Sequence, residues 1–237
     1  MSAFSHFKTG VIAANGIDIH YVEHGSGPLV IFCHGWPESW YSWRHQLQAI
    51  GDAGFRAVAL HMRGYGETTR PKDIEAYTIS HLVGDVVGSV TALGESEAIV
   101  VGHDWGGPVA WHSALMRPDI FRAVAVLSVA LNPPFSPPDG GGINDLMRQA
   151  AGGRRGFRAV FFEPGVAEAD FEKDVRKSML GVLYAFSGDI VADNIHSSGW
   201  DGHFPIEETM TDQFVMPEKL PKWLSEQDLD FYVNELS

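Results

Sequence analysis

Val100-Val101-Gly102-His103-Asp104-Trp105-Gly106-Gly107-Pro108-Val109-Ala110 is the stretch around which the rest of the chain is read. Ala98 to Val101 is a short, β-branched apolar run suited to a buried strand, and Val109 to Met116 continues as a helix. The glycines at 102, 106 and 107 leave the pattern G-x-D-x-G-G between them, a strand–turn–helix elbow with Asp at its apex. Small residues are needed there because the apex sits on strained backbone and neighbouring elements pass close to it. The elbow lifts the Asp104 carboxylate above the C-terminal edge of a sheet. It also sets the group at a helix N-terminus, where amide dipoles favour an anion. The backbone N–H of Trp105 becomes a candidate oxyanion donor. Taken by itself the same pattern fits an ordinary helix N-cap, since Asp is among the favoured capping residues.

A carboxylate is ionised at neutral pH without help from a base, and it suits attack at saturated carbon, which leaves an alkyl ester on the protein. That chemistry opens epoxides or displaces halide. The composition permits it and excludes other classes. The chain has 237 residues, 45% apolar and 20% charged, with 17 basic against 30 acidic side chains and a formal charge of -13. This is a globular balance, and phosphate binding would need a basic surface that is absent here beyond Arg154-Arg155, so no nucleic-acid role is expected. Cys33, the one cysteine, rules out an internal disulfide and fits a reducing compartment, so a cytoplasmic location is expected. The N-terminus has no uninterrupted apolar signal core, and no segment has the roughly 18 apolar residues of a membrane span.

In chain order, residues 10 to 24 alternate around Asn15-Gly16 and predict a β-hairpin. Leu29 to Cys33 is a continuous apolar strand that ends in His34-Gly35-Trp36-Pro37, and loops at such strand ends are where open α/β sheets place ligand sites. A helix is predicted over 40–53 and a strand over 55–60, leading to His61-Met62-Arg63-Gly64-Tyr65-Gly66. A second helix follows over 79–93, then the elbow and a strand over 123–129. Strand and helix alternate, which predicts a mainly parallel α/β sheet with right-handed crossovers. Residues 132–142, rich in Pro and Gly, read as a linker; beyond them one helix is predicted over 168–186 and a last one opening at Ser225. The expected domains are a core over 1–133 and a helical cap over 134–237.

Taken in order, His34-Gly35-Trp36-Pro37, Arg63-Gly64-Tyr65-Gly66 and Gly102-His103-Asp104-Trp105-Gly106-Gly107 strongly resemble the soluble epoxide hydrolases of the α/β-hydrolase superfamily. Pro37 to Arg44 and Glu163 to Glu168 look similar too. The resemblance implies an α/β-hydrolase fold with a helical lid, and no metal or cofactor. It makes Asp104 the attacking carboxylate, small-molecule epoxides and water the reactants, and a vicinal diol the product. It further implies that the amides of Trp36 and Trp105 form the oxyanion hole and that Trp36-Pro37 is a cis bond. His34, Pro37, His103, Phe157 and Tyr184 would line the pocket, with His34 and His103 as structural hydrogen-bonders. His61 departs from the family's usual Asp two positions before Arg63-Gly64, exchanging a carboxylate for an imidazole.

By the same resemblance two further core strands would follow, carrying the histidine and acid that activate water, and the chain reads as truncated before them. His196 and His203 are the remaining candidate bases. The first lid tyrosine of the family falls seven residues before the proline of Glu163-Pro164-Gly165, which is Phe157 here; Phe cannot donate a proton, and Tyr184 is a weak substitute. The expectation is therefore alkylation at Asp104 without turnover, and self-association along an exposed strand at 123–129. A haloalkane dehalogenase shares the Asp-Trp-Gly-Gly elbow but tends to have a polar halide ligand where this chain has Trp36. A non-catalytic protein of the same fold is the alternative outside enzymology.

Overall fold

A computed structural model describes residues 6–131, 152, 154–156, 164–192, 203–205 and 207–236. The chain divides into two compact units, Met1–Leu131 and Asn132–Glu235.

In the first unit, β1 (Lys8–Ala14) and β2 (Ile17–Gly25) form the antiparallel hairpin expected around Asn15-Gly16. Both turn residues take positive φ, +50° and +78°, which Asn and Gly tolerate. β3 (Leu29–Cys33), β4 (Arg56–Leu60), β5 (Ala98–His103) and β6 (Phe121–Leu127) complete a six-stranded sheet of order β1-β2-β4-β3-β5-β6. β2 meets β4 antiparallel, and the remaining pairs are parallel. Every residue of β3 is buried, and its alternation feeds two cores. Leu29, Ile31 and Cys33 pack with Val58, Val86, Val90 and Val109 on one face, while Val30 and Phe32 pack with Ala57, Ala59, Leu47 and Trp43 on the other. A sheet buried on both faces explains the unbroken apolar run that β3 presents in the sequence.

Helices α1 (Arg44–Asp52), α2 (Ile79–Ala92) and α3 (Gly106–Met116) connect the strands. The helix expected over 40–53 is divided: Trp40–Trp43 forms a 3-10 turn in which the Tyr41 N–H donates to the Ser39 hydroxyl, and α1 follows it. α3 starts three residues earlier than the apolar pattern suggested, because glycine is tolerated in a first turn pressed against the sheet.

In the second unit the single helix expected over 168–186 is two, α4 (Val166–Phe171) and α5 (Val175–Ala185). Asp174 restarts the helix by accepting from the Lys177 amide, a capping preference that overrides the apolar periodicity running through it. α6 (Gly188–Ala192) and α7 (Glu226–Leu236) are further helices, the last opened by Ser225 and Asp228 bonded to each other. Two short strands, β7 (Arg155–Gly156) and β8 (His203–Phe204), which the sequence pattern did not suggest, also pair antiparallel in this unit. The linker expected at 132–142 lies outside the described residues, as do Phe157 and His196. Among the described residues, no helix is long and apolar enough to cross a membrane.

Candidate active site

Because β3 lies between β4 and β5, the loops leaving the C-terminal ends of these three strands are neighbours. The chain goes from β3 to β4 on one side and reaches β5 on the other, which makes this the switch point where open α/β sheets hold ligands. His34-Gly35-Trp36-Pro37, His61 to Gly66, and His103-Asp104-Trp105 are thereby brought to one edge.

Asp104 has a φ of +50°, a left-handed conformation uncommon outside glycine. Its Oδ1 accepts the backbone N–H of Trp36 at 2.9 Å. The helix-cap alternative is not what the geometry gives: Trp105 occupies the cap position of α3, and no side chain caps that helix. Close packing explains the glycines. A Cβ on Gly35 would lie 2.4 Å from the Asp104 side chain, and one on Gly106 would lie 2.1 Å from the Cys33 carbonyl. Trp36-Pro37 is cis. Trp105 follows the apex and leaves 52% of its surface exposed.

The two flanking histidines are committed to the protein. His34, only 1% exposed, donates from Nδ1 to the Gly35 carbonyl at 2.8 Å, while its Nε2 accepts the Met62 N–H at 3.1 Å. That pattern requires the neutral Nδ1–H tautomer, and burial pushes the His34 pKa below the usual histidine value. His103 meets the Glu38 carboxylate at 2.9 Å from Nδ1, and this hydrogen bond raises its pKa. The same Glu38 oxygen accepts the Gly35 N–H at 3.2 Å. One carboxylate therefore ties the residue before Asp104 to the loop that presents the Trp36 amide. Tyr65 packs edge-on to His34 at 4.7 Å; burial raises the phenol pKa, and the nearby Asp104 and Glu38 charges add to the effect, so it stays protonated.

The sequence reading named His34, Trp36, Pro37, His103, Asp104 and Trp105, and they share this edge. It did not single out Glu38, whose signal was its place directly after Pro37. Tyr184 is buried on α5 of the second unit, and His203 is half-buried on β8. Among the described residues, no group of three or more His, Cys, Asp or Glu side chains could hold a metal ion.

A family model of the alpha/beta hydrolase fold matches residues 28–165. Epoxide hydrolase 1 of Siraitia grosvenorii is 40% identical over 224 residues, covering 93% of this chain and 65% of that protein. Epoxide hydrolase B of Mycobacterium tuberculosis is 37% identical over 253 residues, covering 95% of this chain and 71% of its own length. The solved structure of an epoxide hydrolase from an endophytic Streptomyces superposes with a TM-score of 0.90 at 40% identity, covering 98% of this chain and 68% of that one. The chain thus spans just under two thirds of the first of these relatives.

Proposed function

The chain belongs to the α/β-hydrolase fold family and, within it, to the epoxide hydrolases, and from that premise we propose that Asp104 opens small-molecule epoxides through an alkyl-enzyme ester. The observation that carries the reading is the Trp36 amide bonded to Asp104 Oδ1 at 2.9 Å, on a residue that caps no helix.

The proposal gives the two oxygens different tasks. Oδ1 is held by the amide, so Oδ2 is the attacking atom. It forms a bond to an epoxide carbon while the carbon–oxygen bond breaks, and the electron pair leaves on the ring oxygen, which takes up a proton from water and leaves hydroxide in the solvent. Oδ1 becomes the ester carbonyl oxygen, already beside the Trp36 N–H. When water attacks the carbonyl carbon, negative charge develops on Oδ1, and a preorganised donor there contributes about 3 kcal/mol of transition-state stabilisation. Collapse breaks the ester bond, one proton of the attacking water going to the departing oxygen to complete the diol and the other to the hydroxide left by ring opening, and the carboxylate is restored. The Trp105 amide would be the second donor, and His34, Pro37 and His103 would set the loop positions, the imidazoles through the hydrogen bonds they already make. Tyr184 and Phe157 are proposed pocket residues. The reaction as written draws on protein groups and water alone.

Incubating the chain with styrene oxide and following both diol and intact-protein mass tests the reading. Diol or a covalent adduct from the native chain, and neither from Asp104→Asn, is the expected result; product from both would overturn it. Halide release from a bromoalkane without epoxide opening would move the chain to the dehalogenases. We also infer a cytoplasmic location, which a single buried cysteine fits, and self-association along β6.

A further inference from the structure

His34 follows β3, is buried, and has both ring nitrogens bonded to backbone. Nδ1 donates to the Gly35 carbonyl at 2.8 Å, and Nε2 accepts the Met62 N–H at 3.1 Å. The Gly35 carbonyl belongs to the same planar peptide group as the Trp36 N–H, which donates to Asp104 Oδ1 at 2.9 Å. In a trans peptide those two groups point in opposite directions, so whatever fixes the carbonyl also fixes the amide. Three hydrogen bonds therefore run in series, from the Met62 N–H through the imidazole and the peptide to the carboxylate, each donating in the same sense.

Gly35 does not hold this plane by itself. It has no side chain to restrict rotation about its backbone, and close approach to Asp104 leaves no room for one. The Glu38 N–H also reaches the Gly35 carbonyl, at 3.3 Å, and the Glu38 carboxylate takes the Gly35 N–H at 3.2 Å. Both contacts are longer than the imidazole bond, and the second restrains the preceding peptide group rather than the one that carries the Trp36 amide. The ring is fixed in turn, by Met62 at its far nitrogen and by Tyr65 edge-on at 4.7 Å. Donation to the carbonyl also draws electron density out of the amide, and hydrogen bonds in series strengthen one another by roughly 10–30% each.

We propose that His34 is a positioning residue for ester hydrolysis: its Nδ1–H turns the Gly35–Trp36 peptide so that the Trp36 N–H meets Asp104 Oδ1, and polarises that N–H for the oxyanion. This role rests on the assignment of Asp104 as the attacking group, and it belongs to one half of the reaction. During alkylation negative charge leaves the carboxylate, so a stronger donor at Oδ1 gives that step no advantage. During attack on the ester carbonyl the charge returns to Oδ1, and a well-aimed donor there is worth about 100-fold in rate. A side chain that only kept the loop folded would affect both halves alike. Hydroxylamine reaches the second half without a protein base. Its nitrogen bonds to the carbonyl carbon, the ester carbon–oxygen bond breaks, an N–H proton passes to the departing oxygen, and Asp104 is left as a hydroxamate.

Two substitutions separate the ring nitrogens. His34→Asn sets an amide N–H where Nδ1 stands, whereas His34→Gln sets an acceptor where Nε2 stands and removes the short bond to the Gly35 carbonyl. Each folded chain is first esterified with styrene oxide. Hydroxylamine should then cleave the ester about 100-fold more slowly in His34→Gln than in the native chain, with ester formation unchanged and cleavage restored in His34→Asn. Unchanged cleavage in His34→Gln, or equal slowing of both steps, would overturn the proposal. A second readout needs no reaction. The Trp36 amide proton resonance should move upfield in His34→Gln and stay in place in His34→Asn; no movement in His34→Gln would overturn the proposal. A native chain that forms no ester would refute the reading of Asp104, and the Trp36 resonance would still decide whether His34 orients the peptide. If neither variant folds, nitrogen-15 spectra of the native histidines decide. His34 should be the Nδ1–H tautomer, and an Nε2–H tautomer would refute its role.

Discussion

Asp104 combines a left-handed backbone with a carboxylate turned to an amide on another strand's loop, and each feature depends on the other. The positive φ costs on the order of 1–2 kcal/mol, which surrounding close packing must offset. Gly35 is the tightest point of that packing. Gly35→Ala would push a methyl into the Asp104 side chain, and the expected result is a loss of epoxide adduct formation of about 100-fold with an unchanged circular dichroism spectrum. The Glu38–His103 pair makes a second prediction. The His103 pKa is raised in the folded state, so the pair's contribution is complete below the free value of 6.5 and is lost as pH rises through the folded pKa. The thermal midpoint should accordingly fall as pH is raised through that range, and Glu38→Gln should flatten the profile. An unchanged profile in the variant would show that the pair contributes nothing. Asp104, His34 and His103 were legible in the sequence because each lies inside or beside a glycine-marked turn. Glu38 was not, since its partner His103 is 65 residues away and only the adjacency of β3 and β5 joins them.

The elements are held to one another by polar ties as well as by apolar faces. Arg63 makes two hydrogen bonds to Asp85 of α2, at 2.8 and 2.6 Å, and Asn15 of the hairpin turn donates to the same carboxylate at 2.8 Å. Both charged side chains are buried, so removing one strands the other. Asp85→Ala should cost about 3–5 kcal/mol in urea unfolding, and a loss below about 1 kcal/mol would mean the pair is open to water. Alternation, glycine turns and apolar runs made the strands and helices of the first unit readable to within a few residues. The second unit was less so. α4 and α5 share one apolar periodicity, and only the cap at Asp174 divides them. β7 and β8 are two residues each and pair across a long stretch of chain, which no local pattern records.

At the scale of the molecule, the order of the sheet turns three separate sequence motifs into one site. It also leaves β6 at an edge of the sheet among the described residues, with Val124 and Leu127 exposed to 43% and 45%. An open apolar strand is a template for another copy, opposed here by a net charge of -13. Sedimentation velocity should show concentration-dependent association that Val124→Lys with Leu127→Lys suppresses; a monomer at all concentrations would remove the self-association inference. The central claim is that Asp104 is the attacking group. Its most direct test is to quench the chain during reaction with styrene oxide, digest it, and locate the added mass by tandem mass spectrometry. The account predicts an ester on the peptide containing Asp104, cleaved by hydroxylamine and absent from Asp104→Asn. Modification confined to a histidine or to Cys33, or an adduct that persists in the variant, would contradict it.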